Sequence, residues 1–426
     1  MIISGIRTFS SSFVRSQSRA RFVVSNPRKP SLFELIRPTN EPTTSLDVPS
    51  GAINLSIDTF RNENGQPWSL PIVREVEKQL ALDENLDHDY LDPQVGLKSF
   101  IEYSTHLLLG QHLGNALREN VVAVQTVSAT GALRLGLEFA VKVLGLNEAH
   151  LANPSWSDYG VILQNSGISK IKDYPYWDYE NKRLAFDGMI KTLRYAEPGS
   201  IVLLQCGHNP TGVDPDPAQW RRLAEVIKDQ DLVPFFDVTN IGLSSGDPQE
   251  DAAPVRLFAE LGIELFVAQS FSKNFGLYSE RVGNLLVLST EPSKTREIKE
   301  YLVQLSKGLW SSAPLHGARI VGHILKTQYL RAQWLNQVRM MFMRTQKSRN
   351  DFYKALMDHK TPGHWDHIIQ STGLYCLLGL SEPQRNYILR KHNIFISPSG
   401  RINVCAITND NLGQIVHAVD DSVRNH

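Results

Sequence analysis

A lysine in a turn of small residues carries the most specific chemistry in this sequence. Lys273 lies in the run SFSKNFG at residues 270–276, and Arg281 follows eight residues after the lysine. Most lysines are solvated surface residues, but the apolar segment at residues 263–268 is typical of a buried strand. Lys273 therefore lies where a strand ends and a site can open. A lysine amine that forms a Schiff base beside a bound phosphate is the arrangement that pyridoxal phosphate requires, so the run predicts this cofactor.

A second group of small residues is suited to the phosphate. Ser128, Ala129 and Thr130 follow the apolar run at residues 121–127 and precede Gly131. Small residues let a phosphate approach the backbone, the free amides of a first helical turn donate to it, and the helix dipole favours its negative charge. Serine or threonine at such a position also caps helices without any ligand. These residues alone leave both interpretations open.

Three further residues could contact a cofactor ring. Asp237 ends the apolar segment at residues 233–237, where a carboxylate is costly without a cationic or hydrogen-bonding partner. A protonated pyridine nitrogen would be that partner and would keep the ring able to absorb electrons. Asn209, in the sequence GHNPTG, could donate its amide to a ring oxygen or could belong to an ordinary turn. Trp156 could stack on the ring, although an isolated tryptophan is more often a core residue.

Arg401, in the sequence SGRIN, is a candidate for binding the substrate. Its guanidinium could form a bidentate pair with a carboxylate, although a surface position is the ordinary one for an arginine.

The elements that position these residues alternate between strand and helix. The patterns predict strands at residues 121–127, 201–206, 233–237, 263–270 and 282–288, with helices at 131–144 and 217–228. Such alternation is typical of an α/β fold with a mostly parallel sheet covered by helices on both faces, whose ligands bind at the carboxyl ends of the strands. Outside this region the patterns predict a short strand at residues 52–57, helices at 70–109 and 315–354, and C-terminal strands at 394–396 and 401–404.

Composition excludes several classes of partner and site. The 426 residues are 42% hydrophobic and carry 44 basic and 44 acidic side chains, so the net charge favours neither nucleic acid nor an anionic membrane. We expect a small-molecule partner. Cys206, Cys376 and Cys405 are widely spaced and form no C-x-x-C pattern, which argues against a disulfide framework and against a metal site. No apolar run approaches the roughly 20 residues of a transmembrane helix.

The N-terminus differs from the rest of the chain. Its first 33 residues contain no acidic residue and are rich in serine and in basic residues, namely Arg7, Arg15, Arg19, Arg21, Arg28 and Lys29. This is typical of a mitochondrial transit peptide, and a disordered basic tail is the alternative. We expect a mitochondrial matrix location if the leader functions and a cytoplasmic one otherwise. The predicted division is residues 1–30 as leader, 31–69 as N-terminal arm and part of a small domain, 70–325 as a large cofactor-binding domain, and 326–426 as the C-terminal small domain.

The motifs occur in an order that resembles the class I, fold-type I aminotransferases, specifically the aspartate aminotransferase family. From N- to C-terminus the order is Ser-x-Thr-Gly, Trp, Asn-Pro-Thr-Gly, Asp, Ser-x-Ser-Lys and Arg, and the resemblance covers nearly all of the chain after about residue 31. It implies a large domain with a mostly parallel seven-stranded sheet covered by helices, and a smaller α+β domain. It also implies transamination through pyridoxal phosphate, with aspartate and 2-oxoglutarate giving oxaloacetate and glutamate by a ping-pong route through a pyridoxamine intermediate.

The resemblance assigns roles to the candidate residues. Lys273 would form the internal aldimine and move the substrate proton, Asp237 would bind the ring nitrogen, Asn209 the ring oxygen, and Arg401 the substrate α-carboxylate, with Trp156 stacked on the ring. A shared site would make the protein a homodimer. The phosphate would be held by Ser128, Ala129, Thr130, Ser270, Arg281 and, from the neighbouring subunit, Tyr90.

Four positions depart from the family pattern. Asn240 replaces a tyrosine that donates to the ring oxygen, and Asp58 replaces a pocket glycine. Lys307 replaces an arginine that, in the family, reaches the distal carboxylate from the neighbouring subunit, and Tyr159 replaces a histidine that supports the ring-binding aspartate. A carboxylate at residue 58 would repel an acidic substrate or pair with Lys307. These departures leave open an alternative, a decarboxylase or lyase acting on an unusual amino acid on the same scaffold. A non-catalytic relative that binds the cofactor is a third possibility.

Overall fold

A computed structural model describes residues 48–89 and 95–426. The predicted leader and Tyr90 lie outside the described residues. Within them, no helix combines the length and apolar character needed to cross a membrane. The same residues contain no cluster of His, Cys, Asp and Glu side chains arranged for a metal ion.

One seven-stranded sheet dominates the fold, in the order β2-β10-β9-β8-β7-β3-β4. Only β10 runs antiparallel to its neighbours β2 and β9, whereas the other pairs are parallel. The predicted α/β architecture with a mostly parallel sheet is confirmed. The described strands are β1 (Ile53–Asn54), β2 (Val121–Val127), β3 (Glu148–Asn153), β4 (Lys170–Pro175), β5 (Trp177–Asp178), β6 (Arg183–Leu184), β7 (Ile201–Gln205), β8 (Val233–Val238), β9 (Leu265–Ser270), β10 (Val282–Leu288), β11 (Tyr375–Leu377), β12 (Ile394–Phe395) and β13 (Arg401–Asn403).

Helices cover both faces of this sheet. The described α-helices are α1 (Pro71–Ala81), α2 (Lys98–Ala116), α3 (Ser128–Lys142), α4 (Tyr159–Ser166), α5 (Phe186–Leu193), α6 (Pro217–Asp229), α7 (Pro248–Asp251), α8 (Ala253–Glu260), α9 (Thr295–Leu309), α10 (Leu315–Lys326), α11 (Gln328–Asp358), α12 (His367–Gln370), α13 (Glu382–His392) and α14 (Leu412–Asn425). Helix α6 begins with a capping box, in which Asp216 accepts from the Gln219 N–H and the Gln219 side chain accepts from the Asp216 N–H.

Successive residues of the central strands enter different cores. Phe235 packs with Phe266 in the core beneath α3, and the next residue, Phe236, packs against Phe258 on the opposite face. Because side chains alternate across a strand, a strand with helices on both sides must be apolar at nearly every position. This explains why the middle strands could be recognised in the sequence as continuous apolar runs.

A third core lies in the C-terminal part of the chain. It joins Phe352 near the end of α11 to residues of β11, β13 and α14, and it includes Leu55 from the segment after β1. Helix α11 also contributes Trp334 to one of the sheet cores, so a single long helix belongs to both parts. The predicted domain boundary at residues 325 and 326 stays a prediction.

The sequence patterns missed two strands of the seven-stranded sheet, β3 and β4, as well as the short strands β5, β6 and β11, and they merged several helices. Strand β3 contains the buried polar residues Glu148 and His150, and β4 is a largely exposed edge strand, so neither has the apolar run of a central strand. The helical pattern at residues 315–354 is interrupted at Thr327, whose extended backbone separates α10 from α11. The expected short strand at residues 52–57 is reduced to β1, which pairs in parallel with β12.

The carboxyl edge of the sheet brings the motifs together. Strands β2, β7, β8 and β9 end there, and β10 begins there with Val282 opposite Val127. Gly283 lies against the backbone of Ser128, where an added Cβ would lie 2.7 Å from Ser128 Cα and still closer to its carbonyl group. The absence of a side chain at residue 283 thus permits the turn that opens α3.

We predict that Gly283→Ala destabilises the protein and disturbs this turn. Overpacking against backbone typically costs about 1–3 kcal/mol, so the Tm in scanning calorimetry should fall by several degrees. Gly308→Ala is the matched control, because nothing lies within 4 Å of a Cβ at that position of α9. Equal Tm values for the two variants would contradict the close approach.

Candidate functional site

A cavity at the carboxyl edge of the sheet collects most of the predicted site residues. The predicted residues that line it are Asp58, Ser128, Ala129, Thr130, Trp156, Asn209, Asp237, Asn240, Ser270, Lys273 and Arg281. Four residues that the sequence did not indicate also line it, namely Gln205, Thr239, Ser272 and Tyr278.

Lys273 presents a buried amine to this cavity. Its Nζ donates to Asn240 Oδ1 at 2.9 Å and lies 4.9 Å from the centre of the Tyr375 ring. Burial lowers the pKa of Lys273 below its ordinary value, although the negative charges of Asp58 and Asp237 act in the opposite direction. The uncharged, nucleophilic form of the amine is therefore reached at a lower pH than for a solvated lysine.

Asp237 is held by donors on both carboxylate oxygens. The Tyr159 hydroxyl donates to Oδ2 at 2.7 Å, and the Thr239 N–H donates to Oδ1 at 3.0 Å, as does the Thr239 hydroxyl. Burial, and then the charge of Asp237, raise the pKa of Tyr159 well above its ordinary value, so its hydroxyl stays a donor. Tyr159 therefore supports the aspartate from the position at which the family pattern has a histidine.

Gln205 connects this carboxylate to Asn209. Its side-chain amide donates to the Tyr159 hydroxyl oxygen, and its Oε1 accepts from the Asn209 N–H at 2.7 Å. The turn before Asn209 is fixed from the other side by Asp214, which accepts from the N–H groups of Gly207 and His208 at 2.7 and 2.8 Å. The orientations of Asn209 and Asp237 are thus coupled through one hydrogen-bonded network.

Three serine hydroxyls form a compact group where α3 begins. Ser128 Oγ lies 3.2 Å from Ser270 Oγ and 3.3 Å from Ser272 Oγ, and the Ser270 hydroxyl donates to Ser272 Oγ at 2.9 Å. Ser128 and Arg281 both have positive φ, at 61° and 52°, and the Ser128 N–H donates to the Arg281 carbonyl. Such backbone conformations in residues other than glycine concentrate at functional sites. Ser272 could have been predicted, since it is the second serine of Ser-x-Ser-Lys.

Arg401 contacts Asp58 and Asn209, which line the cavity, and it is almost fully buried. Its Nη1 donates to Asp58 Oδ1 at 2.8 Å and to Asn209 Oδ1 at 3.3 Å, and its guanidinium carbon lies 4.5 Å from the centre of the Tyr375 ring. Tyr375 therefore contacts both Lys273 and Arg401. The sequence offered no signal for it, because it lies within an apolar strand.

The structure does not place Lys307 in this cavity. Lys307 is exposed on α9 and does not line it, and Tyr90 lies outside the described residues. Within the chain, Asp58 pairs with Arg401 rather than with Lys307. Both Tyr90 and Lys307 were expected to act from a neighbouring subunit, and these assignments stay predictions.

The family of the chain follows from comparison with known proteins. Residues 50–419 match the family model for aminotransferase class I and II. The chain belongs to this family. The cytoplasmic aspartate aminotransferase of Caenorhabditis elegans is 40% identical to this aminotransferase over 373 residues, which cover 87% of the chain and 91% of the relative.

Solved structures agree with this membership. The broad-specificity aminotransferase of Leishmania mexicana is 37% identical, with a TM-score of 0.86 and coverage of 94% of this chain and 98% of that chain. The aromatic-amino-acid aminotransferase of Burkholderia pseudomallei, which is covalently bound to pyridoxal phosphate, is 31% identical, with a TM-score of 0.85 and coverage of 92% and 100%. The resemblance seen in the motifs and the expected fold are both confirmed.

We predict that Tyr159→Phe impairs catalysis more than it impairs folding. The variant removes a donor from the buried Asp237 carboxylate, and a hydrogen bond to a charged group contributes about 1.5–3 kcal/mol, so kcat/KM for transamination should fall by about tenfold or more. Tyr174→Phe is the control, because its buried hydroxyl donates to the Leu203 carbonyl at 2.8 Å, away from the cavity. Both variants should lose a similar free energy of unfolding, measured in urea. Equal losses of kcat/KM in the two variants would contradict the role of Tyr159.

Proposed function

We propose that this aminotransferase holds pyridoxal phosphate covalently through Lys273 and exchanges an amino group between an amino acid and a 2-oxo acid. The observation that carries the proposal is the buried Lys273 amine in one cavity with the Asp237 carboxylate and the group of three serines. These groups match the three functional parts of the cofactor, namely its aldehyde, its ring nitrogen and its phosphate.

The residues of the cavity fit each part of this cofactor. The serine group and Arg281, together with the amides at the start of α3, would hold the phosphate. Asp237 would bind the ring nitrogen, Asn209 and Asn240 face the cavity from which a ring oxygen would be reached, and Trp156 would cover one face of the ring. When bound, pyridoxal phosphate supplies a cationic ring that absorbs the electrons of a bond broken at the amino acid's α-carbon.

The chain's own residues then orient the substrate and move its proton. Arg401 would bind the α-carboxylate and thereby place the α-carbon near Lys273. The Lys273 amine, with its lowered pKa, is suited to accept the α-proton and to return it to another carbon. Asn240 holds this amine in position through its Oδ1, while its own Nδ2 donates to the Gly207 carbonyl at 2.7 Å.

Aspartate and 2-oxoglutarate are the default substrates, since relatives at this level of identity bear the name aspartate aminotransferase. The alternative of a decarboxylase or lyase is favoured by one observation, that Asn240 contacts Lys273 where the family pattern has a tyrosine donor. Product analysis separates the two, because carbon dioxide or ammonia released without stoichiometric pyridoxamine indicates the alternative.

We also propose a homodimer and a mitochondrial location. The homodimer rests on the assignment of Tyr90 and Lys307 to a neighbouring active site, and the exposure of Lys307 on α9 agrees with it. The location rests on the basic, serine-rich N-terminus.

We predict that Lys273→Ala abolishes the covalent attachment of pyridoxal phosphate and lowers transamination by at least about 10³-fold, because acid–base catalysis alone contributes about 10²–10⁴. The absorbance of the bound cofactor and its response to added amino acid are the measurements. Lys182→Ala is the control, since Lys182 Nζ donates to the His364 carbonyl outside the cavity. Turnover by Lys273→Ala at the wild-type rate would refute the proposed function.

A further inference from the structure

Asp58 pairs with the guanidinium of Arg401, the group that the proposed function assigns to binding the substrate's α-carboxylate. Its Oδ1 accepts from Arg401 Nη1 at 2.8 Å, and the Tyr375 hydroxyl lies 3.4 Å from the same oxygen. Arg401 Nη2 is also used, since it donates to the Ser56 carbonyl at 2.6 Å. An incoming carboxylate must therefore displace the Asp58 side chain before it can form a bidentate pair with Arg401.

Asp58 is the partner of this pair that can move. Its side chain is 45% exposed, whereas that of Arg401 is 10% exposed. Arg401 is further fixed by its position over the Tyr375 ring and by the Ser56 carbonyl. Rotation of the Asp58 side chain would free the guanidinium, but the carboxylate would remain attached to a residue that lines the cavity.

The charges of the site then depend on the substrate's side chain. Once an α-carboxylate has neutralised Arg401, the charge of Asp58 is left without its partner. Lys273, whose pKa is also affected by Asp58, is used in binding the cofactor. A second carboxylate on the substrate would bring like charges together in a partly desolvated cavity, which is unfavourable. A neutral side chain avoids this repulsion, and a cationic side chain is attracted.

We propose that Asp58 is a specificity-determining residue that selects monocarboxylic amino donors, with basic side chains preferred over neutral ones and neutral over acidic ones. This inference rests on the proposed function, since it assumes that Arg401 receives the α-carboxylate. It places aspartate and glutamate among the poorer donors of this enzyme, and so it replaces aspartate, the default substrate that the relatives' names suggest.

Pairs of substrates with the same shape and different charge test this order. With the holoenzyme, kcat/KM should be higher for glutamine than for glutamate, higher for asparagine than for aspartate, and highest for lysine or ornithine. Asp58→Asn should raise the ratio of kcat/KM for glutamate to kcat/KM for glutamine by about tenfold or more, because the repulsion between like charges is removed. It should also raise kcat/KM for neutral donors, because Arg401 is no longer paired with a carboxylate, and it should reduce the advantage of basic donors, because their attraction to Asp58 is lost.

The control variant is Asp351→Asn. It makes the same change of charge in a surface pair with Lys347 on α11, outside the cavity. This variant should leave all the substrate ratios unchanged.

Binding of unreactive ligands gives a measurement that does not depend on turnover. Calorimetry on the holoenzyme should show that succinamate binds more tightly than succinate. Asp58→Asn should lower the ratio of the succinate Kd to the succinamate Kd by about tenfold or more.

A wild-type preference for glutamate and succinate that Asp58→Asn leaves unchanged would overturn the inference while the proposed function stands. The inference would also be overturned if amines without a carboxylate reacted faster than amino acids. Asp58 would then stay paired with Arg401, and no α-carboxylate would bind there. Failure of every donor to change the cofactor spectrum would instead refute the proposed function, and the succinate and succinamate affinities would still test Asp58.

Discussion

A buried carboxylate at residue 237 is the constraint on which the rest of the site depends. A charge within a sheet whose two faces are covered by helices is stable only when both oxygens find donors. Tyr159 and Thr239 meet this requirement, and Tyr159 is in turn held by Gln205, which also fixes the Asn209 backbone. The need to satisfy one carboxylate therefore arranges residues from three neighbouring segments around the cavity. A cationic ring nitrogen, as the proposed function assigns to this site, would add the opposite charge that these neutral donors do not supply.

At this edge of the sheet, the residues proposed to hold the cofactor are separate from those proposed to select the substrate. The serine group and Arg281 lie where α3 begins, at one end of the cavity, and they agree with the family's cofactor chemistry. Arg401, Tyr375 and Asp58 come from the C-terminal strands and from the segment after β1. Because these two groups lie on different elements, the charges proposed to face the substrate can change while the residues proposed to hold the cofactor stay the same. The internal Asp58–Arg401 pair is such a change.

The extent to which the sequence predicted this site follows from where each residue lies. Lys273, Asp237 and Asn209 could be found because each comes at or just after the end of an apolar strand, and parallel strands place such ends on one edge. Gln205 and Tyr375 could not be found, since they act through contacts with residues distant in sequence, Tyr159 for Gln205 and Lys273 for Tyr375. Strand β3 was missed for a similar reason. Its buried Glu148 is stabilised by Lys172 of β4 at 2.7 Å, a tertiary pair that no local pattern indicates. The roles of Tyr90 and Lys307 depend on a second subunit, which patterns within one chain do not describe.

Lys273, and no other lysine, is the residue proposed to carry the cofactor. The most direct measurement is borohydride reduction of the purified protein loaded with pyridoxal phosphate, followed by proteolysis and mass spectrometry of the labelled peptides. Reduction converts the lysine–cofactor link into a stable amine, so the account predicts a single dominant adduct on the peptide that contains Lys273. Adducts spread over exposed lysines such as Lys307, with Lys273 unlabelled, would contradict it.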